Sequence, residues 1–290
     1  MGINTGTSLE GVKELIEKVK SNATTLTTDT IQSQIQSGIV DTFKESWYAE
    51  DAVYFMNSLG SVVYALTSEI AVQVNTVIYN IAGAYDYWLK STSGQSDVGA
   101  GDYDQSVGTA SSIQADPNNN DGQSVNGAGG YIEIPNYEGS STYTSTSGGD
   151  GRNGAYSYLS SEDTQVKIDV SAIKAESPNH EVGIDTEVAN SVMGALSGIK
   201  EAITTQLSSM QSELDATAAV IDASGQQAAA VSDFYKAVGD EISKMFEFIT
   251  EGENSLSSSI NKTIEKYGTT IVSGISDSLA NAASGDGSES

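Results

Sequence analysis

Proline is confined to the middle of this 290-residue chain: Pro117, Pro135 and Pro178 lie there, and residues 1–91 and 185–290 contain none. A proline inside an α-helix removes a backbone hydrogen bond and clashes with the preceding turn, so its absence permits long helices. In both proline-free parts, apolar residues recur every three or four positions, which is the spacing of one helix face. We therefore predict a mostly α protein in which two long antiparallel helical hairpins form an elongated four-helix bundle.

The N-terminal part, residues 1–91, predicts the first hairpin. Its first apolar stripe reaches Leu26 and resumes at Ile31, one position later than a spacing of four would give. A break near residues 45–48 separates this stripe from a second one, which runs from Ala52 to Trp88. We expect the core between the two hairpins to include six residues of these and the C-terminal stripes: Leu59, Leu66, Ile70, Val238, Met245 and Ile249.

The C-terminal part, residues 185–290, predicts a second hairpin of the same plan. One stripe ends at Ile221, a second runs unbroken from Val231 to Ile275, and a disordered acidic tail follows. The two parts align without a gap at an offset of 179, which places Phe55 on Phe234. Periodicity alone does not hold one register across two helices and a turn, so the alignment predicts a tandem duplication of one hairpin.

The middle part, residues 92–184, has a different composition, rich in glycine, serine and asparagine. Most of it is typical of turns and loops. Short alternating runs at residues 131–134, 156–159 and 165–170 predict strands of a small β-structure. We expect this insertion to contribute little to the helical core, because it contains few apolar residues.

Composition excludes several functions. The formal net charge is −26, which disfavours nucleic acid, whose phosphates need a basic surface. With no cysteine, disulfides, thiolate metal sites and cysteine nucleophiles are excluded. No run of apolar residues reaches the length of about 18 that indicates a membrane span, so we expect no membrane insertion. The first residues lack the apolar region of a classical signal peptide.

Candidate catalytic and metal-binding residues are few. His180 is the single histidine and lies in the segment before the second hairpin, where an exposed side chain is expected rather than a catalytic one. Asp116, Asn118 and Asn120 have the spacing that begins a Ca²⁺-binding EF-hand loop, but the glycine and glutamate that complete such a loop are missing. An Asn/Asp-rich turn is the expected structure there, with a weak surface Ca²⁺ site as the alternative. The sequence predicts a protein without a cofactor or an enzymatic activity.

The turn of the first hairpin carries the most specific motif in the chain. Trp47, Ala49, Ala52 and Phe55 follow one another there as W-x-A-x-x-A-x-x-F. This turn resembles that of the Trp-X-Gly family of small helical hairpins, which type VII secretion systems export; Ala49 stands where the family usually has glycine. The likeness covers about 85 residues of the first hairpin and, more weakly, the second, where Gln226 occupies the tryptophan position.

The resemblance implies a non-enzymatic protein that is secreted or held at the cell surface without a classical signal peptide. It would act as a secretion substrate or as a structural or adaptor partner, binding the secretion machinery or a cognate helical protein, with self-assembly as a further possibility. The family's export signal, a tyrosine followed four positions later by an acidic residue, has one match at Tyr158 and Glu162. A tyrosine at a sheet edge and a solvated glutamate are the alternative there.

Two questions stay open at the level of sequence. Trp47 could be recognised by a partner, or it could close the hairpin by packing against Phe43 and Phe55. A flagellin-like filament or surface-layer subunit is the alternative function, because such proteins also place helices at both ends of a variable middle. A membrane-active helical toxin ranks last, because Glu69, Gln73 and Asn75 interrupt the most apolar stretch.

Overall fold

A computed structural model describes residues 9–64, 67, 70, 74–75, 78, 81, 159, 166–221, 236, 239–240, 242–243, 246–247, 249–252 and 255–267. Most of these residues are helical, as the sequence predicts. The described residues also include a small antiparallel sheet of two strands. Within these residues, no helix combines the length and the apolar character needed to cross a membrane.

The first helix, α1, extends from residue 9 to residue 43 and contains two π-helical segments. It is α-helical over Leu9–Thr24, Ser33–Ile35 and Asp41–Phe43, and π-helical over Thr25–Gln32 and Gln36–Val40. A π-helix bonds each residue to the one five positions away, so it accommodates an extra residue in a turn. The first π-segment spans the one-residue shift of the apolar stripe, and Leu26 and Ile31 are both buried as a result.

The remaining helices follow in chain order. α2 begins at residue 50, is continuous to residue 64, and is helical at the described residues up to 81. α3 is Thr186–Ile221. The described residues between 236 and 250 are helical and belong to α4, and α5 is Leu256–Glu265.

The prediction of one unbroken helix from Val231 to Ile275 is wrong at residues 251–255. Gly252 has a φ of +83°, a left-handed conformation that favours glycine and ends a helix. Ser255 then caps α5, since its hydroxyl accepts a hydrogen bond from the backbone N–H of Ser258 at 3.1 Å. Apolar periodicity continues through this break, so the stripe alone does not reveal it.

α3 lies antiparallel to α1 along much of its length. Lys18 of α1 donates to Thr217 of α3 at 3.1 Å and also forms an ion pair with Glu213. Further along, Gly38 approaches Ile199 so closely that a Cβ at residue 38 would lie 2.8 Å from the isoleucine Cδ1. A side chain at residue 38 would therefore have to displace the end of the Ile199 side chain.

α3 also lies antiparallel to α4. The Lys200 ammonium lies 5.8 Å from the centre of the Phe246 ring. Leu207 lies seven residues after Lys200 on α3, and Gly239 lies seven residues before Phe246 on α4. Leu207 is the side chain nearest to Gly239. The two contacts advance in opposite directions along the chain, as they do in a helical hairpin.

The core is one continuous cluster of buried side chains drawn from all of these helices. Of the six core residues that the sequence predicts, Leu59, Ile70 and Ile249 are at most 2% exposed, which confirms that they are buried. Leu66, Val238 and Met245 lie outside the residues whose side chains the structure describes.

The prediction that the insertion adds little to the core is wrong for its C-terminal end. We call residues 159 and 166–173 the strap, because their backbone is hydrogen-bonded to side chains of α1 and α2. Leu159, Val166, Ile168 and Ile173 are buried members of the core cluster. The alternation within residues 166–170 therefore gives an inward face, at Val166 and Ile168, and an outward face, at Lys167 and Asp169. In the described part of the chain this segment bonds to α1 and α2, and no strand pairs with it. The runs at 131–134 and 156–158 lie outside the described residues.

Candidate functional site: the turn between the first two helices

The turn begins where α1 ends. Ser46 N–H donates to the carbonyl of Phe43 at 3.1 Å, which closes the last turn of the helix. Trp47–Tyr48 is a short strand, β1, and it pairs antiparallel with Gly183–Ile184, β2, so that Trp47 faces Ile184 and Tyr48 faces Gly183. Ala49 then accepts the first backbone bonds of α2, from Ala52 and Val53.

Three aromatic rings fill the inside of this turn. The centre of the Trp47 ring lies 5.3 Å from that of Phe43 and 5.3 Å from that of Phe55, at 65° and 52° between ring planes. Phe43 and Phe55 are 6.2 Å apart in an edge-on arrangement. Tilted and edge-on pairs at these distances add roughly 0.5–1.5 kcal/mol each beyond the area that they bury. The rings hold the end of α1 against the start of α2.

Trp47 is completely buried, and no described residue offers a hydrogen-bond partner to its Nε1–H. A buried N–H without a partner costs about 1–3 kcal/mol. The packing of the indole against Phe43 and Phe55 must offset this cost, and it accounts for the buried position of Trp47. Between the two interpretations of Trp47, the geometry favours packing over direct contact of the indole with a partner.

Ala49 and Ala52 are buried beside these rings, at 1% and 0% exposure. A larger side chain at either position would have to displace core atoms in a closely packed interior. The small residues of the motif therefore have a steric role at the start of α2.

A buried carboxylate adds a polar contact at the same end of the molecule. Asp51, in the first turn of α2, is fully buried and accepts a hydrogen bond of 3.1 Å from the Tyr267 hydroxyl. This bond attaches the C-terminal end of the α5 region to the turn. A carboxylate near a helix N-terminus also interacts favourably with the helix dipole.

The start of α3 is fixed against the turn as well. Asp185 N–H donates to the carbonyl of Ser46 at 2.7 Å. The Asp185 carboxylate accepts from the backbone N–H groups of Glu187 and Val188 at 2.9 and 3.1 Å, as an N-cap does. One residue therefore starts α3 and also bonds to the turn through its backbone.

Four polar side chains of α1 and α2 bind the backbone of the strap; we call them the clamp. Asn75 donates to the carbonyl of Leu159 and accepts from its N–H, both at 2.9 Å. Gln36 does the same for Asp169, at 3.2 and 2.9 Å. Gln32 donates to the carbonyl of Lys167 at 2.9 Å, and the Thr67 hydroxyl accepts from Val166 N–H at 3.3 Å.

The other chemically interesting residues lie away from the turn. His180 is exposed, has a φ of +61°, and its Nδ1 lies 3.3 Å from Glu176. The side-chain hydroxyl and then the backbone N–H of Ser171 hold the pKa of Asp169 below its usual value. In the described part of the chain, no three His, Cys, Asp or Glu residues are arranged to hold a metal ion.

The structure brings together the four motif residues Trp47, Ala49, Ala52 and Phe55 in one buried cluster. The weak export-signal candidates Tyr158 and Glu162 lie outside the described residues, as do Asp116, Asn118, Asn120 and Gln226. Comparison with known proteins adds no relative: no family model, no curated protein and no solved structure matches this chain.

Sequence reasoning missed the clamp and the Asp51–Tyr267 bond. Asn75 was visible only as a polar interruption of an apolar stretch, and Thr67 lies eight residues before it on the same stripe. A polar residue on a buried helix face needs a partner, which is a usable signal that something covers that face. Nothing in the sequence indicates which segment supplies the partner.

Proposed function

We propose that this chain is a non-enzymatic helical protein of a type VII secretion system, exported as a substrate or as a structural or adaptor partner. The observation that carries the proposal is the turn: Trp47, Ala49, Ala52 and Phe55 are all buried in the cluster that closes α1 onto α2. The residue types that carry the resemblance to the Trp-X-Gly hairpins therefore share one structural role in this chain.

We propose further that its helices form a single four-helix bundle. α3 is an antiparallel neighbour of both α1 and α4, and the Asp51–Tyr267 bond brings the end of α5 to the start of α2. Each hairpin by itself would expose an apolar stripe. Two hairpins in one chain cover each other's stripes, which a single small hairpin achieves by dimerising.

Export is tested by measuring the protein in the medium of its native host, with and without the membrane ATPase of the secretion system. Intact cells and a cytoplasmic marker control for lysis. The proposal predicts that the protein disappears from the medium of the ATPase mutant while its amount inside the cells is unchanged. Equal amounts in both media would contradict it.

The role of the turn is tested with Trp47→Phe, which keeps most of the buried apolar area. Because the substitution also removes the unpartnered N–H, we expect the packing loss to be partly offset and the midpoint of thermal unfolding to change little. Phe246→Leu is the matched control, since Phe246 is also fully buried but contacts α3 at a distance from the turn.

Loss of export in Trp47→Phe alone, at equal stability of the two variants, supports recognition of the turn surface. Export that follows stability in both variants limits Trp47 to a packing role. In that case a surface other than the turn carries the export signal.

A further inference from the structure

We draw no further inference here: the strongest candidate, the exposed strip of small residues on α3 around Gly194 and Gly198, carries nothing, because no described part of the structure shows what covers it.

Discussion

Single residues at the turn explain why the ends of four helices meet there. Trp47 packs between Phe43 and Phe55, Asp185 caps α3 and bonds to the turn, and Asp51 accepts from Tyr267. The bond from Tyr267 is needed to bury Asp51, because a buried carboxylate is tolerated only when it is hydrogen-bonded.

At this scale we predict strong coupling between Asp51 and Tyr267. Tyr267→Phe removes the donor and should lower the free energy of unfolding by about 1.5–3 kcal/mol, since hydrogen bonds to charged groups fall in that range. A double-mutant cycle with Asp51→Asn, measured by urea unfolding, should give a coupling energy above about 0.5 kcal/mol. Additive effects would mean that the two side chains stabilise the fold independently.

At the level of elements, α1 shows how a helix absorbs a discontinuity in its sequence. Each residue of an α-helix turns the chain by about 100°, so one extra residue would rotate the stripe away from the core. The π-helical segment Thr25–Gln32 takes up that residue, and the buried set continues through Ile31, Ile35 and Ile39. The local change from α- to π-helical winding keeps the same face of α1 buried on both sides of the extra residue.

This explanation predicts that two one-residue deletions in α1 differ in effect. Removing the exposed residue Asp29 restores a spacing of four between Leu26 and Ile31, so an ordinary α-helix can carry the stripe. Glu17 is also exposed, but it lies within an α-helical segment. Its removal therefore rotates the preceding turns by about 100°. In urea unfolding, the first deletion should keep a single cooperative transition close to that of the wild type, and the second should lower its midpoint clearly. Equal losses would show that the π-segment has no such role.

At the level of the whole molecule, the strap joins the insertion to the helical core. The expectation that residues 92–184 form a separate addition fails at Val166, Ile168 and Ile173, which are buried among helical residues.

The predicted tandem repeat remains a sequence-level prediction. Leu207 faces Gly239, and at an offset of 179 these two positions correspond to Thr28 and Gly60. In the first hairpin Phe43 contacts Phe55, and an antiparallel pair in that register would place Ile70 opposite Thr28, about ten residues from Gly60.

Two deletions test whether the strap stabilises the helical core while the rest of the insertion does not. Replacing residues 95–155 by a short Gly/Ser bridge keeps the strap, so we expect a folded helical protein with cooperative thermal unfolding. Replacing residues 95–175 removes the strap and uncovers the buried clamp residues Asn75 and Thr67. The second variant should unfold at a distinctly lower temperature, measured by circular dichroism. If both variants melt alike, the strap adds nothing to stability.

The sequence by itself determined the local structure. Absence of proline and the spacing of apolar residues gave long helices, and the residues at 43–55 gave the position of the first turn and its aromatic cluster, because these properties depend on neighbours in the chain. Leu59, Ile70 and Ile249 could be assigned to the core for the same reason.

Only the tertiary structure decided which distant groups meet. The pairing of Trp47 with Ile184, the bond between Asp51 and Tyr267, and the bond between Gln32 and Lys167 of the strap each join residues more than a hundred positions apart. Asn75 and Leu159 are 84 positions apart. Local patterns record that a side chain is apolar or polar, and thus whether it needs a buried partner. They do not record which segment provides that partner, because this depends on how all the helices share one core.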